Sequence, residues 1–289
     1  MEPSPGDQER AFLIALLANP DSGQGEADEV AEAMRGLGAE VATFGLDEID
    51  AAIAAQPVRL AVAGGDGSLG SVAAAAARAG LPFAVIPTGT ANDFARALEI
   101  PRDTGEAVRL AVEGAETRRV DVAHMDERPF LNVASLGLSP AAAEHASSLK
   151  GALGSLAYTA GALRAGVEAD PVDCLVTGDG EEIFEGEAWQ VTVACTGTFG
   201  GGSSVEADPA DGRLDVVAIE AESRARLVRH AYGLRAGDIE GQPGVHTLRC
   251  ASAEVTLEGT HTFNVDGELV ESGSCRFEVE PRAVSVVVG

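Results

Sequence analysis

Two glycine-rich turns carry the residue types with the clearest chemistry in this chain. The first contains Gly64, Gly65, Asp66, Gly67, Ser68 and Gly70; the second runs from Pro87 to Arg96 and contains Thr88, Gly89, Thr90 and Asn92. Each follows a short apolar run, VRLAVA at 58–63 and PFAVI at 82–86, and each leads into a helical stretch. A strand-to-helix turn of this kind exposes backbone N–H groups at the positive end of a helix dipole, where a polyphosphate binds. Two in consecutive units suggest one nucleotide held across adjacent strand ends. Thr88, Thr90 and Asn92 add short hydrogen-bonding side chains, although Asn92 or Asp93 could instead cap the following helix. Asp66 lies among the glycines, where a carboxylate beside phosphates is unfavourable unless a cation intervenes. That implies Mg²⁺ accompanying the nucleotide.

Two familiar phosphate sites are excluded by spacing. No G-x-x-x-x-G-K-[ST] occurs, and Lys150, the only lysine, is remote from both turns. GGDGSLG does not satisfy G-x-G-x-x-G, which disfavours a dinucleotide fold.

The elements that must position these turns alternate. FLIALLANP (12–20) reads as a strand, GEADEVAEAMRGLG (25–38) as a helix closed by glycine, EVATF (40–44) as a strand and LDEIDAAIAA (46–55) as a helix; DTGEAVRLAVEG (103–114) is a further helix. Such alternation predicts a parallel sheet covered on both faces, with ligands beyond the carboxyl ends of its strands. Near residue 120 the texture changes. RRVDVAHM and PFLNVASLG flank a turn at 126–129, a helical stretch covers 139–166, and short alternating strands punctuated by Asp-Gly at 179–180, 211–212 and 266–267 follow. The expected division is an α/β nucleotide-binding domain at 1–121 and a β-rich domain at 122–280, with 281–289 returning to the first.

Composition sets the class. The chain has 289 residues, 45% of them hydrophobic, with no apolar run long enough to span a membrane and no secretory signal pattern, so a cytoplasmic protein is expected. Cys174, Cys195, Cys250 and Cys275 are widely spaced without histidine companions, which reads as small buried hydrophobes in a reducing setting. A net charge of −26 makes nucleic acid a poor partner. Two causes compete for this composition: a GC-rich genome, which replaces Lys by Arg and favours Ala and Gly, and adaptation to high internal salt, where a carboxylate-rich surface stays soluble. The sequence leaves a homodimer open.

Taken together these residues resemble the diacylglycerol kinase catalytic family, which includes soluble bacterial lipid kinases and sphingosine kinases. The resemblance rests on Asn19-Pro20-Asp21-Ser22-Gly23 at a strand end, Gly64-Gly65-Asp66-Gly67-Ser68, PTGTANDFAR, and the distal Asp266-Gly267-Glu268. PTGTANDFAR is the most specific element, because the related NAD kinases share GGDG but not this second loop. The resemblance implies an ATP-dependent kinase with an N-terminal α/β domain, a C-terminal β-sandwich and the active site between them. It assigns ATP contacts to the strand end with Asn19, Ser22 and Gly23, to Gly64–Gly70 and to Thr90, with Thr43 as the best match to a further threonine. It makes Glu268 the general base, and it maps a structural Mg²⁺ onto EADPADGRLDV, with the Asp211 side chain and the Asp208 and Arg213 carbonyls as ligands. Two departures stand out: Gly70 and Ser71 replace a usual Asn-Glu pair, and Arg213 replaces an apolar residue.

On its own residues, NVDGEL reads as a hairpin turn with an exposed glutamate. An alcohol acceptor nevertheless needs a placed carboxylate to take its proton, and Glu268, with Asp266 as understudy, could supply one. ESRARLVRHAYGLRAG (222–237) carries Arg224, Arg226, Arg229, His230 and Arg235 on an otherwise acidic chain. It reads either as a solvated helix face or as a contact for anionic lipid headgroups. The expectation is therefore an ATP- and Mg²⁺-dependent lipid kinase with peripheral membrane contact. An NAD kinase-like enzyme and a catalytically silent nucleotide-binding regulator are the rivals.

Overall fold

The computed structural model describes residues 12–19, 24–138, 170–199, 203–204, 207–222, 239 and 241–289. The helical readings of 139–166 and of the arginine-bearing stretch from Ser223 lie outside the described residues. Strands β1 (Leu13–Ala18), β2 (Glu40–Gly45), β3 (Arg59–Gly64) and β4 (Phe83–Pro87) form a parallel sheet in the order β4-β3-β1-β2. Its two faces follow from strand alternation. Ile14, Leu16 and Ala18 pack with Val30, Ala31 and Met34 of α1 (Gln24–Gly36). Ala15 and Leu17 point the other way, towards Ala52 of α2 (Ile49–Ala54) and Val72, Ala73 and Ala76 of α3 (Leu69–Ala79). Two further helices complete this half, the short α4 (Asp93–Ala97) and α5 (Thr104–Glu113). The Asp103 side chain caps α5 by accepting from Glu106 N–H at 3.0 Å.

The second half is antiparallel. Its strands are β5 (Thr117–Met125), β6 (Arg128–Phe130), β7 (Val133–Gly137), β8 (Val172–Gly178), β9 (Glu181–Ala194), β10 (Thr198–Phe199), β11 (Ser203–Ser204), β12 (Leu214–Glu220), β13 (Val245–Cys250), β14 (Ser252–Leu257), β15 (His261–Val265), β16 (Glu268–Ser272) and β17 (Cys275–Val287). The order β16-β15-β7-β9-β8-β14-β17 wraps a core containing Phe130, Phe184, Phe263, Phe277, Val191 and Val216, in which Phe130 meets Phe277 edge-to-face with centroids 6.3 Å apart. The chain therefore has an α/β half with a parallel sheet and a β-sandwich-like half.

β17 joins the halves. Its first residues pair with β14 (Cys275 beside Val255), Val286 pairs in parallel with Phe83 of β4, and β5 runs antiparallel along both parts. The register of β5 against β17 shifts between Glu280 and Val284, a bulge where the strand passes from one half to the other. Buried Asp121 of β5 holds that bulge by accepting from Arg282 N–H at 2.6 Å and Gly212 N–H at 2.7 Å. Burial pushes its carboxyl up against the pull of these donors.

Asp179-Gly180 and Asp266-Gly267 turn the β8–β9 and β15–β16 hairpins. Asp266 (φ 49°) and Gly267 (φ 92°) both adopt the left-handed region, as a type I′ turn requires. Asp211-Gly212 is not a hairpin: Gly212 leads from a loop into β12. All four cysteines are buried and unbridged. Burial pushes the thiols of Cys174 and Cys250 up to about 11 and that of Cys275 up to about 12, and Cys195 moves the same way, so they remain inert thiols.

Candidate active site

The two glycine turns leave neighbouring strands and touch. Thr88 N–H donates to Gly64 O at 3.1 Å, which continues the β3–β4 ladder into the turns. A Cβ on Gly89 would lie 2.5 Å from the Gly65 Cα, so the backbones meet where no side chain fits. Asp66 then reaches across. Its carboxylate accepts from Asp93 N–H at 3.0 Å and Phe94 N–H at 2.9 Å, the first amides of α4. Neither residue considered as the cap fills that role; the helix is capped from the other turn. Asn92 instead adopts the left-handed region and donates to Gly89 O at 2.8 Å, and its buried Oδ1 has no protein partner.

Two expectations change as a result. The start of α4 offers no free amides at Asp93 or Phe94, which leaves the start of α3, entered through the 3₁₀ turn Asp66–Ser68, as the helix end open to an anion at the turns. Asp66 also accepts from Asn132 Nδ2 at 3.0 Å, giving it three N–H donors. A carboxylate has about four lone-pair sites. Three of these are taken up in joining the loops, which adds a structural role to the expected metal-organising one.

Asn19, immediately after Ala18, ends the strand beside β3, at the height of the glycine turn. Ser22 and Gly23 lie outside the described residues. Thr43 is not brought to the turns. It is exposed in mid-strand on edge strand β2, level with Leu16 and hence Ala61, well short of Gly64. Thr90 is exposed at the second turn, while Thr88 is partly covered.

The distal hairpin arrives on the opposite side. A Cβ on Gly67 would lie 2.8 Å from Glu268 Cγ and 2.9 Å from its Oε1, so the glutamate rests directly on the first glycine turn. Its carboxylate is ion-paired with Arg128 of β6, and its side chain is 51% exposed, leaving an approach from solvent. The hairpin is anchored by Asp266, 7% exposed, which accepts from Leu131 N–H at 2.7 Å and from Asn132 N–H and Val133 N–H at 2.9 Å each. Burial pushes its carboxyl up to about 7, against those donors and with the help of nearby Asp66. Asp266 is thus committed to holding the turn, and Glu268 is the exposed carboxylate.

Gly70 has a packing reason. A Cβ there would meet the Pro129 carbonyl oxygen at 2.5 Å and the Phe130 Cα at 3.2 Å, because α3 packs tightly on β6. The neighbouring Ser71 is exposed. Gly70→Ala should therefore lower stability by about 1–3 kcal/mol, despite alanine's higher helix propensity, as measured by urea unfolding.

In the loop expected to hold a structural Mg²⁺, arginines crowd Asp211, the one side chain among the expected ligands. Arg249 is ion-paired with Asp211, whose other oxygen accepts from Arg213 N–H at 2.9 Å. Asp208 faces Arg118 at 3.6 Å, and Arg282 Nε donates to Ala210 O at 3.1 Å. Guanidinium groups thus already supply positive charge beside the Asp211 carboxylate. Thermal unfolding without nucleotide should be unchanged between EDTA and millimolar Mg²⁺.

The sequence reading missed Asn132, Arg128 and Arg249. Asn132 alone left a trace: a polar residue inside the apolar run PFLNVASLG, where burial requires it to find partners.

Comparison with known proteins bears on the two halves of the fold. Residues 13–125 match the model of the diacylglycerol kinase catalytic domain, and residues 132–288 match the YegS C-terminal NAD kinase beta sandwich-like domain. A protein named diacylglycerol kinase from Staphylococcus saprophyticus is 33% identical over 214 residues, covering 72% of this chain and 70% of its own. One of the same name from Staphylococcus aureus is 30% identical over 269 residues, covering 88% and 85%. A solved chain from Bacillus anthracis str. Sterne superposes with a TM-score of 0.78 at 22% identity, over 96% of this chain and 97% of its own; a second, described as a diacylglycerol kinase, gives 0.67 at 20% with the same coverage. By its matched halves and these relatives, the chain belongs to the diacylglycerol kinase catalytic-domain family.

Proposed function

We propose that the protein is an ATP-dependent kinase that transfers the γ-phosphoryl group to a lipid hydroxyl, with diacylglycerol, the substrate in the relatives' name, as the first acceptor to test. The observation that carries this reading is the exposed carboxylate of Glu268 resting on Gly67 of the first glycine turn. Gly64 to Gly70, Thr88, Gly89, Thr90, Asn92 and Asn19 form the nucleotide side, and ATP enters as its Mg²⁺ complex, a substrate whose cation offsets phosphate charge. Glu268 takes the acceptor's hydroxyl proton as the oxygen–phosphorus bond forms and the bond to the ADP oxygen breaks. Arg128 holds the carboxylate on the side facing the turn.

The silent-regulator alternative drew on Gly70 and Ser71. Packing against Pro129 accounts for Gly70, and Ser71 is exposed, so neither departure points to lost catalysis. Among the described residues no helix is long and apolar enough to cross a membrane. That suits an enzyme meeting its lipid at a membrane surface from the cytoplasm. The test is transfer of ³²P from ATP into a total lipid extract, with NAD assayed beside it, at low and high salt. A labelled lipid and unlabelled NAD are expected. Labelled NAD with no labelled lipid would overturn the acceptor class.

A further inference from the structure

Asn132 sits between the two halves of the site, and every polar group it carries is engaged. It is 2% exposed. Its Nδ2 donates to Asp66 Oδ1 at 3.0 Å, and its Oδ1 accepts from Thr196 Oγ1 at 2.8 Å. Its backbone N–H donates to Asp266 at 2.9 Å, flanked by those of Leu131 and Val133, and its carbonyl accepts from Cys195 N–H at 2.8 Å. One amide side chain therefore touches the carboxylate that ties the glycine turns together. The same residue's backbone touches the carboxylate that anchors the Glu268 hairpin.

We infer that Asn132 is a positioning residue that sets the Glu268 carboxylate against the first glycine turn by coupling Asp66 to Asp266. The inference rests on the reading of Glu268 as the base. Thr196 fixes which face of the amide meets Asp66, because its hydroxyl donates to the amide oxygen and leaves the NH₂ for the carboxylate. A leucine at 132 keeps the branched shape, with slightly bulkier ends, but supplies neither donor nor acceptor. Asp66 would then swing on its two remaining donors, and the Gly67 backbone under Glu268 would move with it. A displacement of about 1 Å between reacting groups is enough to lower rates steeply.

The experiment is a double-mutant cycle of wild type, Asn132→Leu, Glu268→Gln and the double variant. It measures kcat for ³²P transfer into lipid, ATP affinity by a fluorescent nucleotide, and melting temperature. Asn132→Leu should lower kcat about 10- to 100-fold with ATP affinity changed less than about fivefold. The double variant should be no more than about threefold slower than Glu268→Gln alone, because the positioned group is already gone. Losses that multiply across the cycle would overturn the coupling, as would a wild-type kcat in folded Asn132→Leu. If Glu268→Gln keeps the wild-type rate while Asn132→Leu is slow, the base reading fails and Asn132 stands as the loop's own positioning residue. Should Asn132→Leu fail to fold, Thr196→Val enters the cycle in its place; it leaves Asn132 intact but frees its amide, and a smaller, equally non-multiplying loss is expected.

Discussion

Glu268→Gln should lower kcat for phosphoryl transfer about 10²- to 10⁴-fold, the range that a placed general base contributes. The amide fills the same space on Gly67 but cannot accept the proton of the incoming hydroxyl. ATP affinity should stay within a few-fold of wild type, since the contact that positions the glutamate on Gly67 is one of shape and survives the change. The variant loses its ion pair with Arg128, but both partners are substantially exposed, so little stability goes with it. Steady-state kinetics with fluorescent-nucleotide binding separates the terms. A parallel loss of ATP affinity and rate would mean that Glu268 serves the nucleotide and not the acceptor.

Asp266→Ala should produce the largest loss of stability of any single change at the site. Three buried backbone N–H groups, at Leu131, Asn132 and Val133, lose their acceptor, each worth about 1–3 kcal/mol when left unpaired. Relief of the buried charge offsets part of this. The expected net is about 3 kcal/mol or more, read by urea unfolding near neutral pH. The pH dependence has a definite sign. The folded protein holds the Asp266 proton up to about 7, above the ordinary 3.8, so between these values the folded state binds more protons than the unfolded one. The contribution from Asp266 is present below about pH 4 and is lost as pH rises through about 7. The stability difference between wild type and Asp266→Ala should therefore be wider at pH 5 than at pH 8; a difference that widens with pH would mean that the three donors outweigh burial.

The parts that sequence made legible were those governed by local rules. Strand alternation and glycine punctuation predicted β1 to β4 and their helices to within a few residues, because each element buries its own apolar stripe. Asp266-Gly267 was readable as a turn because a type I′ hairpin selects those residues. What local rules could not supply was pairing across long separations. Asp66 caps a helix that starts 27 residues later, and Asn132 contacts it from the other half of the chain. The pairing of Asp211 was hidden for the same reason: Arg249, remote in sequence, stands beside it. Gly70 looked like a lost polar contact until β6 was seen lying on it.

The sharing of β17 between both halves limits how this molecule can move and how it can be made. Closing about a hinge at the junction would tear the β5–β17 pairing or pull Val286 from Phe83, so substrate capture falls to loops and side chains around rigid halves. Synthesis carries the same constraint. The parallel sheet waits for a strand translated long after its other members, so the glycine turns cannot reach their final packing before the β-sandwich-like half exists. Separating the two halves as independent modules would leave the first with an open edge at β4.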